Sequence, residues 1–445
     1  MINRTKGLPL WIRGKAITTE EAGKITLGLV SEEWDRIEQI DLNLHGRQYL
    51  TDSDIERWSN TLSRRAPYMK SCRIRLKAGR NHAFTHPFLS GNHAPSLIRL
   101  SIVDYSIDIG ACWLPKLRDL DLETRDPLSN ILQALSLMPS LEALTVCNPQ
   151  PHEALGSDTT YPRVGLKNLK SLSVNMAIRT CSKMLECINP VPGCSISILT
   201  RSMSRPEAIE EDVMQPFSNH ARKVVGDYSL KNLELHMTSE LAVSAHTPGT
   251  ERPFFRIYIC PSHPEGKHHA TTVQGFAKAF MFEELSRVTE FKLEFGLHGW
   301  RGAALTRSFT PSLDHIKAIR VGQWSLLNLF NAYCADPTGD TPDIFPNLET
   351  LQMLDFNIVP VRGKAVTSPR FTGIISVLQF LRDAGRPIRI LDLTLCPTPF
   401  KPTFQFHEVE KMSGLRIIWR QSRESEVSEY VCGTGHPKEL LLWNA

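Results

Sequence analysis

Parallel β-strands stacked one sequence repeat upon the next, with helices on the outside, are what three observations predict for this 445-residue chain. The spacing L-x-x-L-x-L, with aliphatic substitutes, recurs along most of its length. Amphipathic helical patterns fall between several of those blocks. Pro/Gly/polar loops interrupt the frame, yet no low-complexity linker is long enough to divide it. The last two apolar positions of each block are two residues apart, so they share one face of a short strand, and the first turns inward as the chain enters it. A block of this kind buries only one stripe and needs neighbours stacked on it. The fold class expected is therefore α/β, an irregular leucine-rich-repeat solenoid with parallel strands on the concave face and helices outside.

From the N-terminus, the frame is first read at Ile37/Ile40/Leu42 and Met69/Cys72/Ile74. It becomes clear at Leu97/Leu100/Ile102, Leu117/Leu120/Leu122, Leu141/Leu144/Val146 and Leu169/Leu172/Val174, whose starts lie 20, 24 and 28 residues apart. It returns at Leu230/Leu233/Leu235, Phe254/Ile257/Ile259, Val288/Phe291/Leu293, Ile316/Ile319/Val321, Leu348/Leu351/Met353 and Ile388/Leu391/Leu393. Cys194-Ser-Ile-Ser-Ile-Leu is a poor strand candidate, and the repeat number between Val191 and Leu230 is open. Helices are expected where Ile55, Trp58 and Leu62 follow the start signal Thr51-Asp-Ser-Asp54, and where Leu128, Ile131, Leu132, Leu135 and Met138 follow Asp126 as N-cap and Pro127. A third begins at Thr372, with Ile374, Val377, Leu378 and Leu381 on one face and Gly385 as its stop. The segments are 1–30, an N-terminal stretch; 31–425, the repeats; and 426–445, a tail or cap.

Composition narrows the class further. With 51 Lys+Arg against 47 Asp+Glu the chain is close to neutral for its size, so bulk charge points to neither nucleic acid nor an anionic membrane. No apolar run reaches the roughly 18–20 residues of a membrane helix, and Met1-Ile-Asn-Arg-Thr-Lys-Gly lacks the apolar core of a secretory signal. The 10 cysteines are then expected as reduced core thiols in cytosol or nucleus, Cys72, Cys147 and Cys260 among them.

The blocks Pro95-Ser-Leu-Ile-Arg-Leu-Ser-Ile, Leu114-Pro-Lys-Leu-Arg-Asp-Leu-Asp-Leu, Met138-Pro-Ser-Leu-Glu-Ala-Leu-Thr-Val and Phe345-Pro-Asn-Leu-Glu-Thr-Leu-Gln resemble the repeats of fungal F-box/leucine-rich-repeat proteins. Gly7-Leu-Pro-Leu-Trp-Ile-Arg13 is similar to the segment that commonly follows the F-box in that family. The resemblance implies a non-catalytic substrate-recognition subunit of a ubiquitin ligase. The F-box itself, which docks on a Skp-type adaptor, has no room in the six residues before Gly7, so an adaptor is expected as partner only if an F-box lies upstream. The alternative is a free-standing leucine-rich-repeat interaction scaffold. The asparagine that follows the strand in regular repeats is replaced by Tyr105, Arg125, Pro149 and Ala177, so the turns need other hydrogen-bond partners.

Catalytic motifs are incomplete. Gly266-Lys-His-His-Ala-Thr lacks the upstream glycine of a phosphate loop, and neither a G-x-S-x-G elbow nor an H-E-x-x-H helix occurs. Cys260-x-x-His263 with His268 and His269 is the best zinc candidate but has no second pair to complete a tetrahedron. The Cys181/Cys187/Cys194 cluster reads as packing. No enzyme activity, cofactor or metal is expected, and no catalytic residue is assigned.

What remains is a surface. Residues flanking the buried strand positions point to the concave face: Asp119, Asp121 and Glu123, then Ser171, Ser173 and Asn175. Glu234 and His236 follow, then Arg256 and Tyr258, then Glu290, Lys292 and Glu294. Their mixed charge around a Tyr/Arg anchor suits a target protein. A nucleic-acid stripe would need cations interleaved with stacking aromatics, and Arg73 and Arg75 are followed instead by acids.

Overall fold

The computed structural model of the chain describes residues 7–17, 20–45, 52–76, 89, 93–103, 105–148, 160–188, 191, 193–201, 211–227, 232–237, 241–246, 255–260, 279–280, 288–295, 314–334, 345–355, 373–396, 406–420 and 425–435. The fold is mixed α/β, with strands that pair mostly in parallel. Two compact units divide the chain, Met1–Ser204 and Arg205–Ala445.

In the first unit eight strands pair in chain order, every one parallel to the next: β1 (Leu10–Ile17), β2 (Ile37–His45), β3 (Ser71–Leu76), β4 (Arg99–Val103), β5 (Asp119–Glu123), β6 (Ala143–Cys147), β7 (Ser171–Met176) and β8 (Ser195–Arg201). The connections carry α1 (Glu20–Glu33), α2 (Asp52–Leu62), α3 (Leu128–Ser136) and α4 (Ile178–Cys187). Parallel pairing already starts at Leu10, within the segment read from sequence as a separate N-terminal stretch.

The apolar frame becomes columns of aligned side chains. Leu100, Leu120, Leu144, Leu172 and Ile196 stand in register, as do Ile102, Leu122, Val146, Val174 and Ile198. None of these is more than 3% exposed, so each strand's two inward residues are fully removed from water. The poor strand candidate is thus a paired strand, with Cys194 buried two residues before Ile196 where the other blocks have an apolar residue three before. Its half-polar run Ser195-Ile-Ser-Ile still alternates correctly, because the serines take the open face.

The second unit holds α5 (Glu211–Asp227), β9 (Asn232–Met237), β10 (Leu241–His246), β11 (Phe255–Cys260), β12 (Glu290–Phe295), β13 (Ala318–Val321), α6 (Gln323–Cys334), β14 (Thr350–Met353), α7 (Ile374–Asp383), β15 (Ile390–Asp392), α8 (Phe406–Glu410), β16 (Arg416–Arg420) and β17 (Val427–Val431). Within it the spatial order is β11, β10, β9, then β12 through β17. Leu233, Phe291, Ile319, Leu351, Leu391 and Ile417 form its buried column.

One expectation is corrected here. The repeat frame placed the Leu233 and Ile257 blocks as successive parallel strands; β9 and β11 do run in the same direction, but β10 lies between them, antiparallel to both, and the parallel neighbour of β9 is β12. Chain length explains this: β9 and β10 are separated by only three residues, and a parallel crossover takes a dozen or more. The same argument applies to β17, which folds back antiparallel on β16. Leu230, Phe254 and Glu439 onward lie outside the described residues.

The helices form on the faces that the spacing indicated. Ile55, Trp58 and Leu62 are buried on α2, and Ile374, Val377, Leu378 and Leu381 on α7. Gly385 stops α7 at φ +75°: its amide bonds Arg382 O and the Arg386 amide bonds Leu381 O, the paired closure that a left-handed residue permits. The start of α3 differs from expectation. Pro127 occupies the N-cap and no side chain caps it, whereas the Asp126 carboxylate accepts the Ser106 hydroxyl at 2.9 Å.

The missing asparagine ladder is replaced at the other end of the strands. In three repeats the residue before the first-slot apolar side chain reaches back one repeat: Lys116 Nζ donates to Pro95 O, Asn168 Nδ2 to Pro139 O and Asn347 Nδ2 to Asp314 O. Beside it one carbonyl per repeat accepts two amides from the next, as Ile98 O does from Arg118 and Asp119 and Glu142 O from Lys170 and Ser171. Past the strands, Asn148 Nδ2 donates to Asp126 O.

Candidate functional site

The face opposite the buried columns carries the polar partners of the alternation, and each unit has its own set. In the first unit, Arg13, Asp41, Arg73, Ser101, Asp121, Thr145, Ser173 and Ser197 stand in one cross-strand row. Asp121 is its best-held charge, accepting Arg75 Nη2 at 2.9 Å and Ser101 Oγ at 2.8 Å on the same oxygen. Asp41 takes Arg73 at 3.7 Å and Arg13 at 3.9 Å, wide and solvent-facing pairs that add little to stability. Burial pushes the Asp119 carboxyl up, against the opposing pull of Arg99 and Arg73. Asp119, Asp121 and Glu123 all lie half-buried on this face of β5, and a cleft of about 540 Å³ opens beside them over Arg13, Asp41, Arg73 and Arg75. Toward β8 the row loses its charge and ends in small hydroxyls, Ser171, Ser173, Ser195 and Ser197.

The second unit's row is Arg256, Ser244, Glu234, Lys292, Arg320, Gln352 and Asp392, over seven strands. Glu234 is its hub. Its Oε2 receives Ser244 Oγ and His236 Nε2 at 3.4 Å and pairs with Lys292 Nζ at 3.5 Å, while His246 Nε2 stands 3.7 Å away, beyond hydrogen-bond reach. The His236 hydrogen bond, then the charges of Lys292 and the histidines, outweigh burial and bring the Glu234 carboxyl down to about 2. A carboxylate so held is a fixed negative charge and an unsuitable proton donor at neutral pH. His236 also joins the next strand through Nδ1 to Glu294 Oε2 at 2.9 Å. Along the row, Arg320 Nε donates to Gln352 Oε1 and Gln352 Nε2 to Asp392 Oδ2, with Thr394 Oγ1 donating to the other Asp392 oxygen at 2.7 Å.

A cleft of about 420 Å³ follows this row, lined by Glu234, Glu290, Lys292, Arg320, Gln352 and Asp392 among others. Small-molecule sites of that size are mostly apolar with a few polar groups; here five charged side chains line the cleft, spread over four strands. Arg256 and Tyr258 stand on β11, two strands from Glu234, with the guanidinium 5.7 Å from the ring centroid.

The sequence-derived residues therefore fall into two clusters, one around Asp121 and one around Glu234. Reading the frame did not single out Asp41, Arg320, Gln352 or Asp392, although the same rule, applied to the Ile40, Ile319, Leu351 and Leu391 blocks, places all four on the open face. Ser244 and His246 had no such signal, because β10 buries Ala242, Val243, Ser244 and Ala245 consecutively and shows no alternation.

Thiol chemistry is subdued at the described sites. Burial pushes Cys194, Cys396 and Cys432 up to about 12 and Cys72 and Cys181 higher still, so these groups stay protonated and pack as small apolar side chains. Cys147 is half-buried. His263, His268, His269 and the Cys260 side chain lie outside the described residues. Among the described residues no group of three His, Cys, Asp or Glu is placed to hold a metal ion, and no described helix is long and apolar enough to cross a membrane.

The chain matches no protein-family model, and no curated protein matches it at a significant level.

Proposed function

We propose that this chain is a non-catalytic protein-recognition module, built as an irregular leucine-rich-repeat solenoid whose concave strand face selects a target protein. The observation that carries the reading is the row from Arg256 to Asp392, in which charges of both signs and amide or hydroxyl groups are held in fixed register by neighbouring strands. Pre-ordered mixed charge favours one complementary surface over others, since every mispaired charge is penalised. Arg256 and Tyr258 are residue types that dominate interface energetics. The resemblance of the repeats to fungal F-box proteins supports placing the module as the target-reading part of a ubiquitin-ligase subunit.

The test is affinity capture with two baits, this chain and the same chain extended by any in-frame upstream coding sequence, each probed for a Skp-type adaptor. Adaptor on the extended bait, together with a target lost on Lys292→Glu, supports the ligase reading. A target lost on Lys292→Glu with no adaptor on either bait supports the free-standing scaffold. A target set unchanged by Lys292→Glu and by Asp121→Lys overturns the role of the open face.

A further inference from the structure

A second surface lies along the leading edge of the first unit's strands, where each repeat turns into the sheet, and it is independent of the open face. A groove of about 920 Å³ runs there, lined by five cations, Lys70, Lys116, Arg118, Lys167 and Lys170, and one carboxylate, Glu142. The whole chain carries a formal net charge of +4, so this groove concentrates positive charge that the rest of the molecule balances. Glu142 is committed internally, to Lys170 at 2.6 Å and Arg118 at 3.5 Å, and Lys70 is paired with Glu38 at 2.7 Å. Lys116 spends one proton on Pro95 O, and no hydrogen bond or ion pair engages Lys167 among the described residues.

The register of the turns puts Lys70, Ile98, Arg118, Glu142 and Lys170 at the same position of successive repeats, since each carbonyl of this series accepts the amide of the next member. Ile98 is the apolar member, 37% exposed, between the cations of Lys70 and Arg118. Strands lie roughly 4.8 Å apart, so those two cations flank Ile98 across roughly 10 Å, within reach of flexible carboxylate side chains two residues either side of a central residue in an extended chain. None of the lining residues is aromatic, which removes the stacking platform a single-stranded nucleic acid uses.

We infer that this groove binds an extended acidic polypeptide segment whose groove-facing residues i, i+2 and i+4 are a carboxylate, an aliphatic residue seated on Ile98 and a second carboxylate. Lys116 and Lys167 supply the uncommitted charge that draws the segment in.

Fluorescence polarisation of the full chain with a labelled peptide of repeated Glu-Ser-Leu-Ser blocks tests the inference. Saturable binding is expected, weakening with added salt and absent for the Gln-substituted peptide. Lys167→Gln should weaken it by up to roughly fivefold, as for one exposed ion pair, and Ile98→Ser with Lys167→Glu by roughly tenfold or more. Circular dichroism and thermal unfolding establish that each variant is folded. Lys292→Glu, on the open face, should leave peptide affinity unchanged, so this inference and the proposed function fail separately. Absence of saturable binding, indifference to the groove variants in folded protein, or tighter binding of an oligothymidylate than of the peptide would each overturn it.

Discussion

Asn168 donates its side-chain amide to the carbonyl of Pro139 at 3.0 Å, one sequence repeat earlier, and Asn347 does the same to Asp314 at 2.6 Å. Both asparagines precede the first apolar residue of their block, at the opposite end of the strand from the asparagine of regular repeats. Stacked turns leave carbonyls that no strand partner reaches, and these amides satisfy them. Asn168→Ala and Asn347→Ala should each cost about 1 kcal/mol of unfolding free energy. Asn347→Asp should cost more, because it sets a carboxylate against the same carbonyl. Urea denaturation of the three variants reads the difference, and equal stability of Asn347→Asp and wild type would exclude the bond from the fold's energetics.

A second contact between repeats caps a helix. The Asp355 carboxylate, just past β14, accepts the Gln323 amide at 2.8 Å and thereby serves the N-terminus of α6, where its charge also complements the positive end of the helix dipole. It reaches that position because residue 322 is glycine: a Cβ there would stand 3.1 Å from both Asp355 oxygens. Asp355→Ala should cost about 1 kcal/mol. Gly322→Ala should cost a similar amount by displacing the same carboxylate, and the double variant should cost little more than either single one. Full additivity in that cycle would show that the two residues act separately.

Most strand positions were readable from sequence because a period of two, anchored by a buried first residue, survives substitution; the run from Cys194 was only a poor candidate, and β1, β10, β16 and β17 carried no frame. The strand between Leu233 and Ile257 was not readable, because the frame records which face a residue takes and says nothing about which strand lies beside it. That choice is made by the three-residue link from Met237 to Leu241, too short to cross over. The open face was readable one strand at a time, as at Asp121 and Glu234. Its charge network was not, since the donors to Glu234 come from β9, β10 and β12, and His246 belongs to a strand with no alternation.

Thiol reactivity should sort by burial. Cys112 is exposed, whereas burial holds Cys72, Cys181, Cys194 and Cys432 protonated at neutral pH. Native-state alkylation with iodoacetamide, read by peptide mass spectrometry, should label Cys112 first and the buried four only on denaturation. Early labelling of Cys181 or Cys194 in folded protein would point to local opening between α4 and β8.

The acid limb of stability should carry the mark of Glu234. Its carboxyl stands at about 2 in the folded protein against an ordinary value of 4.5, so the unfolded chain binds the proton more readily. The stabilisation from its cluster is therefore complete above about pH 4.5, declines as pH falls, and is lost as pH passes through about 2. Glu234→Gln removes this dependence, and at neutral pH it also leaves Lys292 without its carboxylate. The variant should be less stable than wild type at neutral pH and should approach it as the solution is acidified through that window. Urea midpoints for both proteins across that window would show the gap closing. A constant offset between the two curves would mean that Glu234 contributes packing alone, and the row from Arg256 to Asp392 would lose its ionic centre.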